Sequence, residues 1–277
     1  MRLGVSLIEG VDPAPPATVL AALDRFTARV AKPAMFPVWR SLSDPDRRHV
    51  SSELLDGLEA RNVTPVIFLT SVSQDALWPS CGYEAILRGE QDEVIDGLAR
   101  DLSAHHAIVR LDHEMNATGL DAPWQRRKPA LFRRAFRYVS ARIRAIAPWV
   151  LMHWCPMATR KLLPTLIDWF PGRPAVQLVG FDKYDSGARE SLAVSWRGPI
   201  AAIRAFTGLS ILVGEFGSAR GPRGRGRWLR SLAEVRDVWG AIYFDLDMRR
   251  IEPVQDGLPR DWRMGRGMER VFRELAA

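Results

Sequence analysis

Apolar residues in this chain gather in short runs, and between the runs they recur every three or four positions. The runs are residues 3–7, 34–38, 65–69, 107–111, 150–153, 176–181, 211–214 and 241–244. Each is short and mostly apolar, as expected of strands covered on both faces of a parallel sheet. The stretches between them, 17–31, 52–61, 91–104, 129–147, 161–169, 198–206 and 227–236, read as amphipathic helices, and 267–275 adds a last one. In 91–104, Val94, Ile95, Leu98 and Leu102 make one helical stripe, with Asp92, Glu93, Asp96, Arg100 and Asp101 on the other face. In 129–147, Pro129 suits a first helical turn, and Leu131, Phe132, Ala135, Phe136, Val139 and Ile143 make the buried stripe.

Eight strand–helix alternations in 277 residues predict one α/β domain over residues 1–277, a (β/α)8 TIM barrel. An open doubly wound sheet is the competing architecture. It usually carries a glycine-rich phosphate turn after an early strand, whereas strand one here runs into Ile8-Glu9-Gly10-Val11-Asp12-Pro13. No linker, repeat or low-complexity segment divides the chain.

Composition narrows the classes further. With 26% charged residues and no apolar run near the ~20 residues of a membrane span, neither disorder nor a membrane partner is expected. The net charge of +7 comes mostly from arginines scattered along helices, a solvated surface and not a nucleic-acid footprint. One dense cluster, Arg220, Arg223, Arg225, Arg227 and Arg230, follows strand seven directly. Cys81 and Cys155 fit no metal or redox spacing, so no metal is expected. The start, MRLGVSLIEG, is too short and polar for a signal-peptide core, which points to a cytoplasmic protein. A monomer is expected.

In barrels of this kind chemistry sits at the C-terminal ends of the strands. Strand four ends in Asp112-His113-Glu114-Met115-Asn116, strand five in His153-Trp154, strand six in Asp182-Lys183-Tyr184 and strand seven in Glu215. Strand eight ends in Phe244-Asp245-Leu246-Asp247. Carboxylates on strands four and seven face each other across the mouth. Two carboxyls about 5–5.5 Å apart can flank one glycosidic bond in a retaining mechanism. One must be protonated and the other ionised, so their surroundings must push their pKa values apart. The plain reading of such a Glu is a helix cap or an arginine partner, and Arg110 is close in sequence.

These segments resemble a known family. His113-Glu114-Met115-Asn116 followed by Pro123-Trp124 resembles the HEMN…PW signature of glycoside hydrolase family 26, the β-mannanase family of the clan A barrels. Trp154 with Pro156, the run Gly180-Phe181-Asp182-Lys183-Tyr184, the run Gly214-Glu215-Phe216-Gly217-Ser218, Phe244-Asp245 and Asp261-Trp262-Arg263 resemble later segments of that family, in order. The resemblance implies Glu114 as general acid/base and Glu215 as nucleophile, with no metal or organic cofactor. It implies that His113 contacts the sugar, that Tyr184 hydrogen-bonds the nucleophile, and that Trp124 and Trp154 offer flat faces to sugar rings. Asn116 and Phe244, on the same segments, complete the expected substrate-binding set. Trp262 is expected to fill the barrel bottom or a helix seam.

The chain also departs from the family. Residues 117–122 lengthen the loop before Pro123-Trp124 and bring no aromatic, Met157 stands where the family often has Asn, and strand three ends Thr70-Ser71-Val72-Ser73 without tryptophans. These changes fall on sugar-contacting loops and spare both carboxylates. The expected function is therefore retaining hydrolysis of a β-linked oligosaccharide or glycoside shorter than polymeric mannan. An intracellular tailoring enzyme on the same barrel, or a non-catalytic sugar-binding barrel, are the alternatives.

Overall fold

The structure is a computed structural model that describes residues 1–7, 10, 14–72, 82–117, 122–125, 128–185, 190–219, 222–247, 254–255, 258–259 and 261–277. Ile8, Glu9, Ser73, Cys81, Thr118, Gly119, Leu120, Asp121 and Arg220, all noted in the sequence, lie outside the described residues, as does the Arg223 side chain.

The parallel strands are β1 (Arg2–Ser6), β2 (Met35–Ser41), β3 (Thr64–Thr70), β4 (Ile108–Leu111), β5 (Leu151–Trp154), β6 (Leu178–Val179), β7 (Asp182–Asp185), β8 (Ser210–Ser218) and β9 (Val238–Phe244). They run in the order β6-β5-β4-β3-β2-β1-β9-β8-β7, and β6 also pairs with β8. That last pairing closes the sheet. β6 and β7 are two pieces of a single barrel strand, so the expected eight-stranded barrel is present. A small hairpin, β10 (Val254–Gln255) and β11 (Leu258–Pro259), stands apart from it.

Alternation along each strand sorts the core into two layers. Met35, Val66, Phe68, Ile108, Leu178, Leu212 and Ile242 form the cluster inside the barrel. The larger cluster packs strands against helices, using stripes such as Val19, Leu23 and Phe26 of α1 (Pro16–Arg29). Next come α2 (Ser52–Ala60), α3 (Tyr83–Leu87), α4 (Asp92–Leu102) and α5 (Pro129–Ile146), where Phe132, Phe136, Val139 and Ile143 are buried as their spacing predicts. α6 (Leu192–Arg204), α7 (Pro222–Arg230) and α8 (Arg266–Ala276) complete the set. No helix among the described residues is long and apolar enough to cross a membrane.

Several expectations shift. The helix predicted over 161–169 is a 3-10 run, Leu163–Trp169; its buried residues, Leu166 and Trp169, are three apart, the repeat of that tighter helix. α6 begins six residues before the predicted 198, because Ser191 accepts the Val194 N–H in its side chain and caps it there. The predicted strand 176–181 is interrupted between β6 and β7. α3 was not legible as a separate helix.

The largest change concerns β8, which runs to Ser218 and not to 214. Leu178 pairs with Ser210 and Asp182 with Glu215, so β8 carries one extra residue against β6–β7. Against β9 it carries one extra residue between Val213 and Phe216. This bulge breaks the alternation. Val213 and Phe216 belong to the outer layer, while Gly214 and Glu215 both face inward. Two successive inward positions leave no room for a side chain at the first. A Cβ on residue 214 would lie 2.6 Å from Cys155 Sγ and 2.8 Å from Asp182 Oδ1. Gly214→Ala is expected to destabilise the fold by about 1–3 kcal/mol, read as a lower denaturant midpoint. An unchanged midpoint would mean that the groups packed over Gly214 yield freely.

Candidate active site

Below the barrel mouth one arginine organises the polar residues. On β4, Ile108 faces the barrel interior and Val109 the outer layer, so Arg110 points inward, its guanidinium 4.4 Å from the Phe68 ring centre. Its side chain is fully enclosed. Nη1 donates to Glu215 Oε1 at 2.9 Å and Nη2 donates to Asp182 Oδ2. Strand pairing sets this arrangement, because Asp182 and Glu215 are direct register partners on β7 and β8. Tyr184, two residues along β7, donates its hydroxyl to Glu215 Oε2. Both Glu215 oxygens are thus held by cationic or phenolic donors. Burial, reinforced by the surrounding carboxylates, drives the Tyr184 hydroxyl far above its ordinary value, so it remains a donor. Burial likewise raises the Asp182 carboxyl, Arg110 opposing and Glu215 adding to the shift.

Glu114 arrives from a strained turn. Asp112 and Glu114 have φ of 45° and 53°, a left-handed conformation that costs non-glycine residues energy and persists only where contacts over-determine it. The contacts come from both neighbouring strand ends. Asp112 N–H donates to Leu69 O at 2.8 Å, and Asp112 Oδ1 accepts from Ser71 N–H at 2.7 Å. On the other side Glu114 N–H donates to Cys155 O at 3.1 Å. Asn116 closes a two-way clamp, Nδ2 donating to Met157 O at 2.9 Å and Oδ1 accepting from Met157 N–H at 2.8 Å. The turn buries Glu114 at the mouth. Its charge and that of Glu215 act on the same two groups, Arg110 and Tyr184, so the two carboxylates converge on one site. His113, between Asp112 and Glu114 in the turn, stands edge-on between Trp39 and Trp124, at 5.1 and 5.0 Å. Burial, with the Arg110 charge acting the same way, pulls its imidazole down to about 4. It is neutral at pH 7.

The structure brings Glu114, Glu215, His113, Tyr184 and Phe244 together, and gives three of the expected sugar contacts partners within the protein. Trp154 is wholly buried in the outer layer against Phe170 and Phe206, at 5.4 and 6.0 Å. Alternation on β5 turns His153 into the barrel, where its Nε2 lies 2.9 Å from Leu212 O, and so turns Trp154 out. Trp124 is buried behind His113, its Nε1 donating to His113 O at 2.8 Å, and supports that residue without offering a sugar face. Asn116 spends its amide on the Met157 main chain.

Two aromatics at the mouth were missed. Trp262 is at neither the barrel bottom nor a helix seam; it packs at 4.8 Å on Tyr184, and its N–H donates to Leu246 O. Trp39 was hidden because the run 34–38 stops one residue short. With β2 extended to Ser41, alternation from Met35 puts Trp39 on the inner face. Trp39, Tyr184, Phe244 and Trp262 share one apolar cluster. Two of the arginines beyond β8 have partners among the described residues. Arg225 donates to the Asp261 and Arg263 carbonyls, and Arg230 pairs with Glu274. One group of metal-ligand type occurs among the described residues, Asp56, Glu59 and His105. His105 turns Nδ1 to Glu59 at 3.1 Å and Nε2 to Asp56 at 3.7 Å, a bridge between two carboxylates.

No family model and no curated protein matches the sequence. Solved structures do match the fold. A GH26 endo-β-1,4-mannanase catalytic domain from Bacillus sp. JAMB-750 superposes with a TM-score of 0.68 at 15% identity, covering 99% of this chain and 85% of that one. An exo-β-1,4-mannosidase from Opitutaceae bacterium strain TAV5 gives 0.67 at 16% identity, covering 100% of this chain and 59% of that one. The fold is family 26-like. An endo-β-1,3-glucanase of family 128 from Sorangium cellulosum is also similar, at 0.58 and 12% identity, with 98% of each chain covered. This chain therefore spans about three fifths of the exo-mannosidase it resembles, but nearly the whole of the glucanase.

The family 26-like barrel holds its inner polar cluster around Arg110, which generates a stability test. Arg110→Met leaves Asp182 and Glu215 enclosed without their cation and is expected to cost about 3–5 kcal/mol. Arg110→Lys should recover little of this, since one ammonium cannot reproduce a planar fork shared by two carboxylates. Denaturant titration at pH 7 reads both, and a lysine variant as stable as the parent would show that charge alone suffices.

Proposed function

We propose that this protein is a retaining β-glycosidase with Glu114 as general acid/base and Glu215 as nucleophile. The observation that supports it most is the double anchoring of Glu215 by Arg110 and Tyr184 at the mouth where Glu114 also converges. In the first step Glu215 attacks the anomeric carbon as protonated Glu114 gives its proton to the departing oxygen. The bond to the leaving group breaks and a glycosyl ester forms. In the second, Glu114 takes a proton from water, which attacks the same carbon and releases Glu215. Arg110 and Tyr184 hold the carboxylate oxygens against rotation, and neutral His113 offers a hydrogen bond to a sugar hydroxyl. Trp39, Phe244 and Trp262 supply the apolar wall that a sugar's C–H face prefers. With Trp154 and Trp124 withdrawn into the core, few platforms remain for successive sugars. This supports a short β-linked oligosaccharide or a small glycoside over long mannan.

An aryl β-glycoside panel tests the reading, with the released anomer followed by proton NMR. Retained configuration is expected; inverted product, or Glu114 and Glu215 carboxyls beyond roughly 8 Å in a crystal, removes the retaining mechanism. Glu114→Gln should lower kcat/KM on substrates with poor leaving groups by about 10²–10⁴-fold. Tyr184→Phe should lower kcat by about ten- to a hundredfold, the worth of one hydrogen bond to a charged group, with the fold intact. Unchanged kinetics would return Tyr184 to a packing role. On matched sugar concentrations, short oligosaccharides should outperform polymeric mannan and mixed-linkage glucan; efficient internal cleavage of mannan would overturn the substrate assignment.

A further inference from the structure

Cys155 follows β5 directly and is fully buried. It touches both carboxylate systems of the site. Its carbonyl accepts the Glu114 N–H at 3.1 Å. Its thiol donates to Asp182 Oδ1 at 3.2 Å, the oxygen that Arg110 does not use. The segment around it is stitched to β7, with Asp182 N–H donating to Pro156 O at 3.0 Å and Ala158 N–H to Asp182 O at 3.2 Å. The missing side chain of Gly214 makes the space the sulfur occupies.

We infer that Cys155 is a positioning residue, whose thiol hydrogen bond to Asp182 decides how Arg110 is shared between Asp182 and the proposed nucleophile Glu215. The kinetic part of this rests on the glycosidase reading; the electrostatic part does not. Arg110 brings one positive charge to two carboxyls. While the thiol donates to Asp182, the ionised form of Asp182 is favoured and holds its share of the guanidinium. Without that donor Asp182 takes up a proton more readily, and Arg110 is left to Glu215 alone. The Glu215 carboxylate, held more tightly by the guanidinium, is then a weaker nucleophile. When Glu215 becomes an ester in the proposed cycle its charge is consumed, and Asp182 remains to balance Arg110. The other titratable or charged groups that face this network are His113 and Glu114 from the β4 turn, His153 from β5 and Tyr184 from β7. Burial holds the Cys155 thiol well above its ordinary value, so it stays protonated and able to donate.

The test is a carbon-13 NMR titration of the Asp182 carboxyl in the full chain and in Cys155→Ser, Cys155→Ala and Cys155→Val. Serine keeps a donor, and valine fills the space without one, which covers the case in which alanine fails to fold. In the alanine or valine variant the Asp182 midpoint should rise by about one pH unit, because the hydrogen bond that favoured its charged form is gone. The serine variant should stay near the parent. On the aryl glycoside, kcat should fall in the same variants and be kept in the serine variant. Midpoints that stay fixed in a folded alanine or valine variant overturn the inference, whatever happens to stability or rate. Shifted midpoints in a protein whose parent form hydrolyses no glycoside would sink the glycosidase reading and leave this one standing.

Discussion

A single guanidinium, enclosed within the barrel and divided between two carboxylates, is the constraint around which the mouth is built. An isolated buried charge is prohibitively costly, and a buried pair holds only with good geometry and every remaining lone pair satisfied. The two carboxylates around Arg110 meet that condition through residues of β7, of β8 and just after β5, while Arg110 Nε makes no hydrogen bond. Asp182 and Glu215 are register partners, Tyr184 takes the second Glu215 oxygen, and the Cys155 thiol takes the second Asp182 oxygen. Disturbing any of these leaves a polar atom stranded where water does not replace it. The cluster therefore demands an exact strand register, and the register in turn positions Glu215.

The opposite carboxylate is placed by a different principle. Glu114 is not on a strand but on a turn with two left-handed residues, held open by hydrogen bonds to the ends of β3 and β5. Neither residue is glycine, and of the two only Asp112 is of a type that visits that backbone with any frequency. The stability of the surrounding barrel is what maintains it. One side of the site is thus fixed by a salt-bridged core and the other by a backbone under tension.

Most of the barrel was legible in the sequence, because parallel strands buried on both faces and amphipathic helices leave patterns that survive without tertiary information. Both glutamates and Tyr184 were legible for the same reason: a polar residue at the end of an apolar run is conspicuous. What escaped was anything set by one-residue shifts. Stopping the second run at Val38 hid Trp39, and ending the seventh at Gly214 hid the bulge that turns Glu215 inward. The inward or outward sense of Trp154 depends on strand phase, which an unbroken apolar run does not report. Trp262 was misplaced because its contacts with Tyr184 span 78 positions and leave no local trace.

The bulge in β8 also bears on how this stretch of gene can change over generations. Substitutions that respect size can accumulate on the outer face, where Val213 and Phe216 meet helices. Position 214 is another matter, because a side chain there would press on Cys155 Sγ and Asp182 Oδ1. A third-base change in a glycine codon is silent, whereas a change at either other base puts a side chain, or a stop, in that space. Descendants of this chain should therefore keep glycine at 214 while Val213 and Phe216 drift among residues of similar size.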